Sequence, residues 1–269
     1  MKTKIVFIKI SLFTVIFGLF NFQISKLIFT TKGIVLRTIK YGETSVIASV
    51  FTELFGIQSY LVNGVRTSGK NSKAHFFQPA SILEMQVYHN ELKNLQRIKD
   101  LKWNVLYKNV LSDVTKNAVA LYMVELLYKC LKQPETNSDL FQFCEDSFLE
   151  LDKAADEVTG NFPIYFAKQI AQILGFRLLD NYSEKRNIFS LHEGSFSDEN
   201  SASANHLSKE LSFHIAELLK AVHPDDLSEI KLNRNIRSSI LKSLENYYIW
   251  HVPEFGTMKT LPVLSAILI

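Results

Sequence analysis

The sequence predicts an α+β chain in which a small five-stranded β-barrel precedes an all-α helical domain. Three observations predict it. Between Thr31 and Leu101, runs rich in β-branched and aromatic residues alternate with period two and are parted by short polar turns. After Trp103 the apolar period becomes that of a helix. The charge divides at nearly the same place: residues 31–110 hold 11 Lys and Arg against 5 Asp and Glu, and residues 111–180 hold 6 against 11. A basic first half on an acidic second half points to a polyanion-binding module joined to a partner-binding one.

At 269 residues the chain suits two modest domains of about 100–200 residues each. The first 27 residues form a separate extension. Lys2 and Lys4 precede an apolar stretch from Ile10 to Phe22, as in a signal peptide or anchor, yet the run is short for a span of about 20 residues. The expectation is an over-long start, with the working chain opening near Leu27. The competing expectation is a true anchor, which would make the protein a membrane-bound adaptor whose basic barrel meets anionic lipid or a protein partner.

The barrel is expected over 28–104. Gly33 to Ile39 reads as the first strand, followed by a turn over Lys40 to Glu43. Ser45 to Thr52 and Gly56 to Val65 read as the second and third, and Thr67 to Lys73 as an exposed basic loop. Ala80 to Tyr88 and Asn94 to Leu101 complete the set. Five such strands close, or nearly close, into a barrel.

The helical domain is expected over 105–269. Asp113 to Leu131 forms a helix with Ser112 as its cap, ended by Pro134. Asp139 to Ala155 forms the next. Asn161 is then expected to cap a helix over Pro163 to Leu174, with proline in the first turn and Gly175 as the stop. Polar residues 180–205 read as a long loop holding a short hairpin over 188–196. His206 to Val222, Asn233 to Trp250 and a short element from Lys259 complete the domain.

No Walker A motif, dinucleotide fingerprint, nucleophile elbow or H-E-x-x-H is present. None of the seven histidines pairs with another at i+3 or i+4, so they read as surface or capping residues, and no helical metal site is expected. The two cysteines, Cys130 and Cys144, build neither a disulfide scaffold nor a zinc ribbon, read as core, and fit a reducing compartment. Acid pairs such as Asp156 and Glu157 read as solvated caps near helix ends. No catalytic constellation is visible, and the chain reads as a protein that is not an enzyme.

The basic residues carry the candidate site. Lys32, Arg37 and Lys40 flank the first strand; Arg66, Lys70 and Lys73 line the loop after the third; Lys93, Arg97 and Lys99 mark the last hairpin. On a small barrel these cations are expected to neutralise phosphates and release counterions. Tyr41, Tyr60, Phe76 and Phe77 are expected to offer stacking faces for unpaired bases.

The ordered segments Thr31 to Glu43 (TKGIVLRTIKYGE), Val62 to Lys73 (VNGVRTSGKNSK), Gln78-Pro79 with the strand Ile82 to Tyr88, and Phe162 to Phe176 (FPIYFAKQIAQILGF) resemble the RecO family of bacterial recombination mediators. The resemblance covers roughly residues 28–250. It implies an N-terminal OB barrel, binding of single- and double-stranded DNA, and annealing of complementary strands. It implies as partners RecR and the acidic, apolar tail of single-stranded DNA-binding protein, with RecA loading as the outcome. The expected location is the cytoplasm, at the nucleoid. Many relatives carry two C-x-x-C pairs after the helix that ends here at Gly175. This chain has Asn181, Tyr182, Ser183 and Glu184 there, so the zinc finger is expected to be degenerate, with no metal and no cofactor.

Overall fold

The computed structural model describes residues 27–66, 73–198 and 205–268. The expectations for the extension 1–26 and for loop residues 67–72 lie outside the described residues. Five strands, β1 (Ile28–Tyr41), β2 (Ser45–Thr52), β3 (Gly56–Val62), β4 (Ile82–Tyr88) and β5 (Leu95–Trp103), close in the order β1-β2-β3-β5-β4. All neighbours are antiparallel except β3 and β5, which are parallel. This closed arrangement is the OB-fold.

β1 is twice the length the alternation foretold because it serves two neighbours. Its first half pairs with β4, its second with β2, and Gly33 belongs to both ladders. A Cβ at Gly33 would stand 2.6 Å from Met85 Cε and Val50 Cγ1, so the missing side chain lets the strand fold over the barrel interior. The register shifts between Val35 and Arg37, the kind of irregularity that bends a barrel strand.

Ile34, Val35 and Leu36 are all buried, which simple alternation does not foresee. Val35 points into the barrel with Val46, Ala48, Val50, Tyr60, Leu83 and Met85. Ile34, Leu36, Phe51 and Ile82 instead face outward into the core of the helical domain, where the Phe51 and Phe141 rings lie 5.4 Å apart. A 3-10 helix, Ala74–Phe77, follows β3 and buries Phe77 in the barrel.

The helices are α1 (Val114–Cys130), α2 (Ser138–Lys153), α3 (Asp156–Ile173), α4 (Lys209–Lys220), α5 (Arg234–His251) and α6 (Thr260–Ile267), with a small hairpin β6–β7 (Ile188–Ser190, Ser195–Ser197) where one was expected. Two caps differ from expectation. Asp113, not Ser112, caps α1, its carboxylate accepting the Lys116 N–H at 2.8 Å, while the Ser112 hydroxyl donates to the Lys108 and Asn109 carbonyls.

Asn161 caps nothing. α3 starts at Asp156 and runs through Pro163, because buried Asn161 is claimed by tertiary partners: Nδ2 donates to the Ile230 carbonyl at 2.8 Å and Oδ1 accepts from Arg237 Nε at 3.2 Å. Asp156 and Glu157 lie in the first turn of α3, where acids favour the helix dipole as expected.

Polar contacts reinforce the apolar seam between barrel and helices and the connection into α1. Lys32 Nζ donates to Glu145 Oε2 at 2.7 Å, and Asn104 Nδ2 to Glu145 Oε1 at 2.8 Å. Asp152 gathers the connection into α1, its carboxylate accepting the N–H groups of Lys108, Asn109 and Val110 at 2.7–2.9 Å. Finally, the α1–α2 connection docks on the β2–β3 turn: Thr136 Oγ1 donates to the Leu54 carbonyl at 2.9 Å, and a Cβ at Gly56, φ +61°, would lie 2.2 Å from the Glu135 carbonyl oxygen.

Candidate nucleic-acid interface

Register places the outward side chains of the barrel in rows. Arg37 aligns with Ser49, Ser59 and Leu95; Ile39 with Ile47, Leu61 and Arg97; Tyr41 with Ser45. Where the helices stop covering β1, cations join the apolar residues of the outer face: Arg37, Tyr41 and Arg97 are exposed on it beside exposed Ile39 and half-buried Ile47 and Leu61. Tyr41 keeps half of its surface free.

Further cations stand at the β1–β2 turn end of this face. Lys40 is exposed one residue before Tyr41. Exposed Arg66 is tied beside the same turn by its N–H, which donates to the Thr44 carbonyl at 2.9 Å. Lys99 is exposed two residues beyond Arg97 along β5, whereas Lys93 is exposed toward the other end of the barrel, in the β4–β5 loop near Phe55 of the β2–β3 turn. Lys73 is exposed before the 3-10 helix, and Lys70 lies outside the described residues.

Lys32 stands apart from these. Its ammonium is held by Glu145 of α2, whose hydrogen bond raises the lysine pKa against the opposing effect of burial. It clamps barrel to helices. The stacking expectation also divides: Tyr41 is exposed and Phe76 half-buried, but Tyr60 and Phe77 belong to the barrel core. Tyr60 lies on the inward row of β3 and Phe77 follows it inward, because a barrel this small needs large side chains to fill it.

Strand patterning gave no sign of a cleft beside this face. About 700 Å3 in volume, it is bounded by Ser49, Ile57 and Ser59 of the barrel, Phe55 and His89 of adjoining turns, and Tyr128 and Lys132 from the end of α1. The Phe55 and His89 rings stack at 3.8 Å and 12°. Burial lowers the His89 pKa, against the nearby Glu91 carboxylate. The Arg37 guanidinium sits 5.5 Å from the Tyr128 ring centroid, a cation–π distance. Proximity of α1 to β2 and β3 is a tertiary fact with no local signature.

The positions that would hold a zinc finger are filled otherwise. Asn181 exchanges hydrogen bonds with the Phe196 backbone at 2.8 and 3.0 Å, and the Tyr182 ring packs edge-on to Phe196 at 5.2 Å. These residues offer no thiolate and do not fit the metal. Burial raises both thiols, Cys130 to about 12 and Cys144 well above its ordinary value, as befits packed rather than reactive cysteines. No helix among the described residues is long and apolar enough to cross a membrane.

A closed OB barrel with a cationic, aromatic outer face, backed by a helical bundle, defines an OB-fold binding protein. Comparison with known families narrows the class. Residues 26–105 match the model of "Recombination protein O N terminal" and residues 111–260 that of "Recombination protein O C terminal". The "DNA repair protein RecO" of Flavobacterium psychrophilum is 31% identical over 241 residues, covering 88% of this chain and 98% of the relative. Those of Bacteroides fragilis and Azobacteroides pseudotrichonymphae are 28% and 26% identical, covering 87% and 90% of this chain and 97% and 99% of the relatives. This chain belongs to the RecO family of DNA repair and recombination proteins.

Proposed function

We propose that this protein is a non-catalytic mediator of recombinational repair. The barrel, residues 28–104, binds single- and double-stranded DNA through the backbone, anneals complementary strands, and acts in the cytoplasm at the nucleoid. The helical domain, residues 105–269, is the partner-binding part, and RecR and the acidic tail of single-stranded DNA-binding protein are its partners in loading RecA. Family membership supports this reading, and one observation carries it: exposed cations Arg37 and Arg97 stand on outward rows of β1 and β5, and exposed Lys40, Tyr41 and Arg66 stand at the β1–β2 turn.

Phosphate neutralisation accounts for annealing without chemistry. Two strands on one cationic surface repel each other less, and contacts confined to phosphates carry no sequence preference. The test is fluorescence anisotropy of labelled single strands across a salt series, with annealing followed in the same samples. Affinity should fall by about 0.7 log units per log unit of salt for each phosphate neutralised, and annealing should accelerate at low salt. Salt-independent affinity would refute the phosphate reading.

A further inference from the structure

We infer that the cleft between the barrel and the end of α1 receives an unstacked nucleotide of single-stranded DNA. The helical domain then supplies part of the nucleic-acid site and lets the protein distinguish a single strand from a duplex. This rests on the DNA-binding reading above and deepens it.

Placement is the first reason. Ser49 and Ser59, in the cleft wall, share an outward row with Arg37. A backbone following the cations of that face therefore passes the cleft mouth. Its volume of about 700 Å3 lies within the range of roughly 300–1,000 Å3 usual for small-ligand sites, enough to take in a nucleotide but not to enclose a duplex.

Chemistry is the second. The flat Phe55–His89 stack and the Tyr128 ring give the cleft two aromatic elements from opposite sides of the barrel–helix junction. The flat His89 and aromatic rings suit a base, whose faces stack without sequence preference. Lys93 and Lys132 line the same cleft, both exposed, and suit the flanking phosphates. Glu91 also lines it; a carboxylate accepts from base amino groups and repels phosphate, which favours a base inside and the backbone outside.

Selectivity follows from the energetics of entry. A single strand turns a base into the cleft by giving up at most its stacking, whereas a duplex must also break a pair. The cleft therefore adds affinity for single strands alone, while the open face serves both forms.

Affinities of the full chain for a single strand and a hairpin duplex are to be compared with those of Tyr128→Ala, Lys132→Glu and Arg97→Glu. The cleft variants should bind the single strand about tenfold more weakly and lose clearly less affinity for the duplex, for which Tyr128→Ala disturbs only the Arg37 contact; Arg97→Glu should weaken both. Equal losses for both ligands in the cleft variants, or none for the single strand, would overturn the cleft while leaving the open face standing. An Arg97→Glu variant indistinguishable from the parent would overturn the face and the cleft together. Since Tyr128 is partly buried, the unaltered protein is also to be photo-cross-linked to a single strand carrying 5-iododeoxyuridine. Cross-links at Phe55, His89 or Tyr128 support the cleft, and cross-links confined to Tyr41 overturn it.

Discussion

At the scale of single residues, identical side chains do different work according to what lies opposite them. Lys32 and Arg97 are both strand cations, but Glu145 stands over one and open solvent over the other. Lys32→Ala would leave a carboxylate only 6% exposed with Asn104 as its remaining partner, costing about 1–3 kcal/mol. A lower midpoint of denaturant unfolding with an unchanged salt slope of DNA binding is the expected pair of results. Asp152 adds a pH dependence. Burial opposes its ionisation, but the N–H groups of Lys108, Val110 and Asn109 together outweigh it and hold the carboxyl below its ordinary value. A group depressed on folding stabilises above its unfolded pKa of about 3.9 and loses that contribution as pH falls through the folded value. The Tm difference between the parent and Asp152→Asn should therefore be full at pH 6 and shrink as pH falls below about 4. Charge type was legible in the sequence at all of these positions; partner was not, because Glu145 lies 113 residues from Lys32. The same gap hid Tyr60 and Phe77, whose aromatic character was plain and whose direction depended on barrel closure.

Among elements, local rules succeeded wherever one neighbour decided the matter. β2 has the bounds its alternation foretold, since it pairs along its whole length within a single hairpin-connected meander. Only the second half of β1 is legible in local alternation, because the portion pairing with β4 depends on a contact over 50 residues away. The start of α3 is hidden for a similar reason: Asn161 carries a strong capping signal, but Ile230 and Arg237 satisfy its amide inside the bundle and the helix begins earlier. The β2–β3 turn shows how one element shapes another. Gly56 has both a left-handed backbone and the Glu135 backbone against it, so Gly56→Ala carries a conformational penalty of about 1–2 kcal/mol together with a backbone clash. The α1–α2 connection must then lift from the barrel. We expect a stability loss of about 2 kcal/mol or more by denaturant titration, accompanied by loss of the single-strand preference assigned to the cleft. A stable variant that retains that preference would show that the connection does not fix the cleft wall.

For the whole molecule, the division read from charge and period is a division of surface more than of core. The basic and acidic halves, and the change from strands to helices, were legible because each is a property of contiguous sequence. The continuity beneath them was not: Ile34, Leu36, Phe51 and Ile82 from the barrel belong to one apolar cluster with α1, α2, α3 and α5. The barrel interior forms a second, smaller cluster. Removing the helices would bare four large apolar side chains on the outside of a barrel of fewer than 80 residues, a size at which a single core is already marginal. At about 1.5–3 kcal/mol for each such side chain returned to water, the lost burial matches the whole stability of an ordinary domain. The full chain should therefore unfold in one calorimetric transition, with barrel and helix signals melting together, and a fragment spanning 27–104 should bind a hydrophobic dye or aggregate. Two well-separated transitions would show instead that the barrel stands alone. Shared burial also has a functional consequence. Because barrel and helices cannot part without losing their common core, we expect the cleft to be in place before DNA binds, so that selectivity for a single strand comes from a wall already formed.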